Sequence, residues 1–577
     1  MRVTTTKSKN SESFYINYAY INEQGKSTSR IYKKLGTLKQ LQEQLGTDRD
    51  GVMKWAKEQA RIATEQHKAE SESVLVPFST KKLIDKGEER SFNCGYLFLQ
   101  KIFTDLRMDN ICRNIKNRHN FQYDIHAILT DLVYARILSP SSKRSSYSYC
   151  QSLLEPPKYS LDNVYDALQM LADESDYIQS ELYKNSNFVH QRNQSVLYYD
   201  CTNFFFEIEE EDEMRKYGKC KENRPNPIVG MGLFMDADGF PLAFDLYPGN
   251  QNEQRSLKPL EQKVIRDFGC SKFIYCSDSG LGSSANKQFN NMDDRGYVIT
   301  QSLKKLKAEY RDTALNPSQY RRIGSNEFIN LNDLDEKDPS VFNSIYYKEV
   351  PVYSKNLDET MIVTYSPKYK AYQRKIRNKQ IERATKMIAS NDKVKKTHRN
   401  PNDPARFINA VHVAEDGQAA EKVSYSLNED AIAKEEMYDG FYAVVTNLDG
   451  DVSDIIAINQ RRWEIEECFR IMKSEFKARP VYVSTKNAIK SHFLTCFIAL
   501  LIFRILESQL QNKYTVCEIV DTLSSMNLTK ASDYGYIPSY KRTDLTDALH
   551  ENAGFRTDTE IVKKAKLRSI IKSTKER

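Results

Sequence analysis

Three carboxylates, Asp200, Asp278 and Glu466, are the residues of this chain whose types and settings best suit chemistry. Asp200 closes the apolar run Leu197-Tyr198-Tyr199, and Asp278 closes Phe273-Ile274-Tyr275-Cys276-Ser277, so each stands at the tip of an expected strand. They are 78 residues apart (278 minus 200), which leaves room for two strands and a helix between them. Carboxylates at the tips of neighbouring strands can share a pocket, and Mg²⁺ takes hard oxygen ligands while keeping several waters. Two ions held about 4 Å apart can activate a hydroxyl and stabilise a leaving 3′ oxygen in an in-line displacement at phosphorus. Water as the nucleophile cleaves a strand, and a 3′-hydroxyl joins one. Taken singly, each aspartate is equally at home as a turn or helix-cap residue.

The third carboxylate lies in Asn459-Gln-Arg-Arg462-Trp463-Glu464-Ile465-Glu466-Glu467-Cys-Phe469-Arg-Ile-Met472-Lys473. On a helical wheel with Arg462 at zero, Lys473 falls near about +20°, Glu466 near about +40° and Asn459 near about +60°. The apolar stripe of Ile458, Ile465, Phe469, Met472 and Phe476 lies beside them, at roughly −20° to −80°, whereas Glu464 and Glu467 point away. The polar set therefore borders the core. The plainer alternative is an i,i+4 ion pair of Arg462 with Glu466 and a solvated Lys473. As a site, Arg462 and Lys473 would neutralise phosphate charge near the carboxylates.

The elements around these residues can be read from periodicity. Strands are expected at 196–199, 228–235 and 240–247, with Asp236-Ala-Asp-Gly239 turning between the last two. A helix at 253–268, a strand at 272–277, a helix at 284–293 and a strand at 297–301 follow. Three antiparallel strands and then alternating helix and strand is the order of the ribonuclease-H-like fold, an α/β mixed sheet with helices on both faces. The domain scheme this implies is an N-terminal β-hairpin with helices over 1–90, then a helical, DNA-binding domain over 91–190. The catalytic core would occupy 191–302 and 441–512, interrupted by an insertion at 303–440 that mixes polar loops, short strands and a basic helix-like run, and a helical tail would fill 513–577. A last strand at 441–446 precedes one long helix over 453–476. The loop Ser139–Tyr149, with Lys143 and Arg144, is either a phosphate contact or a solvated connector.

Length and composition set the bounds. With 577 residues, 40% hydrophobic and 28% charged, the chain is globular and built of several modules. The net charge of +7 is mild, but residues 368–399 hold twelve Lys or Arg, Lys393, Lys395 and Lys396 among them, against Glu382 and Asp392. Such a run suits a DNA backbone or a solvated helix. The ten cysteines are scattered without a Cys-x-x-Cys pair, which points to reduced, cytoplasmic thiols rather than zinc or disulfides. The start of the chain lacks a signal-peptide core, and the apolar run Phe493–Phe503 is too short to span a bilayer, so no membrane role is expected.

The spacing Asn459-x2-Arg462-x3-Glu466-x6-Lys473 resembles the Tyr-x2-Arg-x3-Glu-x6-Lys signature of bacterial insertion-sequence transposases of the DDE class. Tyr199-Asp200-Cys-Thr-Asn-Phe, Asp245-Leu-Tyr-Pro-Gly-Asn250, Ser277-Asp278-Ser-Gly and Arg479-Pro-Val-Tyr-Val extend the resemblance over most of residues 15–510. It implies a ribonuclease-H-like core interrupted by a mostly β insertion between Asp278 and Glu466, and Asp200, Asp278 and Glu466 as catalytic metal ligands, with two Mg²⁺ or Mn²⁺ ions. It also implies double-stranded DNA as partner, at terminal inverted repeats and at the target, and a homodimeric synaptic complex working by cut-and-paste. Members with this signature can pass through hairpin ends and hold a flipped base on aromatics, for which Trp463 and Tyr442 are the candidates here. The departure is Asn459 where the signature has Tyr. Two other readings remain open: an inactive, domesticated DNA-binding protein, and a metal-dependent nuclease that does not join.

Overall fold

The computed structural model describes all residues except 9–10, 22–26, 72–75, 355–356, 391–401, 414–421 and 532. It divides into two compact units, residues 1–88 with 531–535, and residues 89–530 with 536–577.

The smaller unit is a three-stranded antiparallel sheet, Arg2–Ser8, Ser11–Ile21 and Ser27–Thr37, with helices Leu38–Leu45 and Arg49–Ser71. Phe14 and Ile16 alternate inward and bury against Leu41, Val52, Ala56 and Ala60. Thr37 caps the first helix through a reciprocal pair with Gln40, and Gly46 ends it at φ 63°, a left-handed conformation that a residue with a Cβ adopts at a cost. The hairpin expected from sequence is present. Its third strand, Arg-Val-Thr-Thr-Thr-Lys-Ser, is too polar and too exposed to announce itself.

In the larger unit, ten strands form one mixed sheet. Within it Val196–Phe205 and Ile274–Ser277 pair in parallel, and Ile274–Ser277 pairs in parallel with Gly296–Thr300. Ile228–Met235 and Pro241–Pro248 continue the sheet antiparallel on the far side of Val196–Phe205. The central strands bury both faces. Leu197, Tyr199 and Cys201 face Leu257, Leu260 and Val264 of the helix Gln254–Phe268, while Tyr198 and Phe204 join the core around the helix Lys486–Gln509. Helices thus cover both sides, which is why these strands read as continuous apolar runs.

Three expectations are corrected. Residues 91–190 do not form a separate domain, because their helices share one core with Lys486–Gln509 and with the sheet. The segment 303–440 is not set apart either: Tyr346–Ser354 and Leu357–Tyr365 pair onto Phe441–Thr446 and so extend the central sheet. The C-terminal segment is not purely helical, since Leu528 pairs with Phe92 in a small antiparallel ladder. The helix Lys486–Gln509 is long and apolar enough to cross a bilayer, yet 89% of its apolar window is buried inside the protein. It is the central core helix of this unit.

Candidate active site

Val196–Phe205 and Ile274–Ser277 run in register, with Tyr198 opposite Cys276. Two residues further along each chain stand Asp200 and Asp278, so the two carboxylates leave neighbouring parallel strands at the same level and on the same face. Asp200 accepts the Cys201 N–H at 2.7 Å, and Asp278 accepts the Leu281 N–H at 3.2 Å. Burial pushes Asp200 up to about 6. The Lys221 ammonium, the Cys201 N–H and Arg462 oppose that rise, and the Asp278 carboxylate adds to it.

The residues 453–476 do not form one helix. Val452–Gln460 ends in a tight turn at Arg461 and Arg462, Trp463–Arg470 resumes, and Ile471–Glu475 widens to π winding. Such local rewinding often accompanies functional sites, and here it changes where the signature residues reach. The Tyr198 hydroxyl donates to the Ile458 carbonyl at 3.0 Å, tying the first segment to the Asp200 strand. The Lys473 ammonium donates to Thr202 Oγ1 at 2.6 Å, on the same strand face as Asp200. Burial and the Lys221 ammonium push Lys473 down to about 8, while Cys220 and Asp200 pull it up; the Glu222 carboxylate lies 3.3 Å from the ammonium.

Arg462 stands among the three carboxylates. Burial works against its charge, but Glu466, Tyr442, Asp200 and Asp278 together hold the guanidinium above its ordinary range. Its direct partner is Glu466, at 3.2 Å, and Glu466 is exposed, at 58%. The i,i+4 pair weighed from the wheel is therefore present. Among the described residues no three Asp, Glu, His or Cys side chains stand close enough to grip one ion. Asp200 and Asp278 leave adjacent strands at one level, and Glu466 is tied to Arg462, whose charge both aspartates feel.

Asn459, Tyr442 and Trp463 gather at the same end. Thr300 Oγ1 hydrogen-bonds the Tyr442 hydroxyl at 2.8 Å and donates to Asn459 Oδ1 at 3.3 Å. With Arg462, Trp463 and Tyr369 they line a cavity of about 400 Å³. Trp463 is 60% exposed. Glu464 and Glu467 do turn away, into ion pairs with Arg461 at 3.0 Å and with Arg470. Lys393, Lys395 and Lys396 lie outside the described residues. Lys143 is no phosphate contact: it begins a helix, Lys143–Cys150, and is 3% exposed, and burial pushes its amine down to about 7. Sequence reading passed over Lys221, Tyr369 and Glu222, and quoted Thr202 and Arg479 within motifs without giving them a role; their places in the fold depend on chain reversals that no local pattern encodes.

A family model described as the transposase DDE domain matches residues 194–502, more than half of the chain and every signature residue named above. The chain belongs to the DDE transposase family. No curated protein matches the transposase. Among solved structures it is similar to a piggyBac transposase, determined by cryo-electron microscopy in a synaptic complex with hairpin DNA, at 10% identity and a TM-score of 0.35, covering 84% of this chain and 85% of that one.

Proposed function

We propose that this transposase moves an insertion sequence by cut-and-paste, cleaving the phosphodiester at the terminal inverted repeats and transferring the 3′ ends into target DNA. The observation that carries the reading is the placement of Asp200 and Asp278 at one level on adjacent parallel strands, with Arg462 between them and Glu466. The strand order, with Val196–Phe205 flanked by an antiparallel pair on one side and two parallel partners on the other, supports a ribonuclease-H-like core.

The donors fit a divalent cation. Their oxygens are hard ligands, and Asp278 makes the charge on Asp200 harder to hold, a repulsion that a cation relieves. Asp200 and Asp278 would hold Mg²⁺ or Mn²⁺, two ions in all, with Glu466 joining when Arg462 turns to phosphate. When bound, such ions supply activation of the attacking hydroxyl and stabilisation of the leaving 3′ oxygen.

The chain's own cations do the rest. Arg462 presents a planar fork of donors suited to a phosphate, and Lys473 adds a point charge fixed by Thr202. The cavity beside Trp463, Tyr442 and Tyr369 offers aromatic faces to an extruded base. Tyr442 also brings a phenol, through Thr300, to the place where Asn459 lacks one. The helix Pro367–Ala389 holds Tyr369 in its first turn and carries Lys368, Lys375, Lys379, Arg383 and Lys386 on one exposed side. At about 1.5 Å per residue it is about 34 Å long, close to one turn of duplex, which suits it to follow a DNA backbone. The working species is a homodimer that brings two ends together, in the cytoplasm.

The test is Asp200→Ala on a duplex bearing one element end. The variant is expected to lose metal-dependent cleavage and strand transfer while binding the duplex as the wild type does. Continued cutting by the variant overturns the assignment, and cleavage by the wild type without joining would make the protein a nuclease.

A further inference from the structure

Glu222 lies in the loop between the Asp200 strand and Ile228–Met235. Asn203 binds this loop to the strand, donating to the Lys219 carbonyl at 3.1 Å and accepting the Lys221 N–H at 3.2 Å. The Lys221 ammonium donates to the Cys201 carbonyl. This anchoring delivers Glu222 between two cations from a distant part of the chain: Lys473, 3.3 Å from Oε1, and the Arg479 guanidinium, which pairs with Oε2. Aromatic rings at the end of the strand carry these cations and one more. Lys473 lies over the Phe204 ring at 5.5 Å, and Arg479 and Arg224 flank the Phe205 ring at 5.7 and 4.4 Å.

The position matters because of what lies next to it. Lys473 is fixed by Thr202, two residues from Asp200 on the same strand face, hence about 7 Å along. An ammonium and a guanidinium facing one carboxylate are the partners that the two non-bridging oxygens of a phosphodiester require. Glu222 is 24% exposed and belongs to a loop, so it can withdraw without unpairing the sheet. Its loop also carries Glu207, Glu209, Glu210, Glu211 and Glu213, which a DNA strand arriving at Asp200 would repel.

We propose that Lys473 and Arg479 form a binding site for the DNA phosphate next to the one that is cut, and that Glu222 fills this site in the DNA-free protein as a stand-in which the phosphate displaces. The proposal rests on the transposase reading of the Asp200 site. It assigns Arg479 a direct phosphate contact and makes Glu222 a competitor of DNA.

The sign of one substitution separates this from a structural ion pair. Binding of a duplex of about 30 base pairs, without element ends and in the presence of EDTA, is followed by fluorescence anisotropy across a salt series. Glu222→Gln is expected to bind about ten-fold more tightly than wild type, with a log–log salt slope steeper by about one, because the two cations no longer carry an internal anion. Glu222→Asp keeps the charge and is expected to match wild type. Arg479→Ala is expected to weaken binding, and Arg479→Ala combined with Glu222→Gln to lose the gain. Unchanged or weaker binding by Glu222→Gln, with or without a lower Tm, overturns the stand-in. If wild type cuts element ends in Mg²⁺ while Glu222→Gln shows no gain, only this inference falls; if wild type neither binds nor cuts DNA, the reading of the Asp200 site falls with it.

Discussion

Asp236 follows the strand that neighbours the Asp200 strand, and each aspartate has an arginine nearby, yet their surroundings differ in kind. Asp236 is wholly buried in the turn after Ile228–Met235, pairs with Arg192, and accepts the Asp238 and Phe240 N–H groups at 3.1 and 2.9 Å. Arg192 spends its remaining donors on Ser186 Oγ at 2.8 Å and on the Phe240 and Pro241 carbonyls. Each polar group there has a partner, so the pair clamps the preceding helices to the sheet. Asp200 has one N–H donor, and the nearby Arg462 is engaged by Glu466. Burial without saturation leaves it at about 6. Glu261 marks the extreme: buried, with one amide donor from Asn290 at 3.2 Å, it is pushed up to about 8 by burial. Partner count separates a buried carboxylate whose oxygens are saturated from one that keeps bonding capacity to spare.

Removing one side of the saturated pair should have the largest effect. Arg192→Ala is expected to cost about 3–5 kcal/mol in urea unfolding, since it strands a buried charge, whereas Asp200→Asn should unfold at the wild-type concentration or higher without metal. A loss below about 1 kcal/mol for Arg192→Ala would erase the distinction.

Glu261 sharpens the comparison through pH. Its pKa is raised by folding, so its contribution to stability is complete below the unfolded value near 4.5 and is lost as pH rises through about 8. Wild type should therefore lose Tm between about pH 5 and 8 and level off above that, and Glu261→Gln should lose less. Parallel curves would mean that the side chain is already ionised at neutral pH.

The smallest effect belongs to exposed charge. Replacing Lys375, Lys379 and Lys386 with Gln should leave Tm unchanged and reduce the log–log salt slope of DNA binding by about 2–3, at about 0.9 per phosphate contact. An unaltered slope would take the helix Pro367–Ala389 off the DNA path.

Much of this site could be read before folding. Asp200 and Asp278 close apolar runs, and a strand that is buried on both faces declares itself by unbroken apolar residues. The strands at 228–235 and 441–446 fall where periodicity puts them. The polar strand Arg2–Ser8 gave no such signal, because an exposed edge strand is held by backbone pairing rather than by buried side chains. The turn at Arg461 and Arg462 and the π winding at Lys473 were equally silent, since the wheel assumes an unbroken 100° step.

The amino-acid sequence by itself determined the residue types, their order and the local faces on which they stand, because those follow from steric preference and from apolar periodicity within about ten residues. Only the tertiary structure decided which charges meet: Glu466 with Arg462 rather than with the two aspartates, Lys143 in the interior rather than on phosphate, and Glu222 against Lys473 and Arg479, more than 250 residues further along the chain. Such partnerships depend on how helices and loops pack across the sheet, and a charge carries no local mark of its partner.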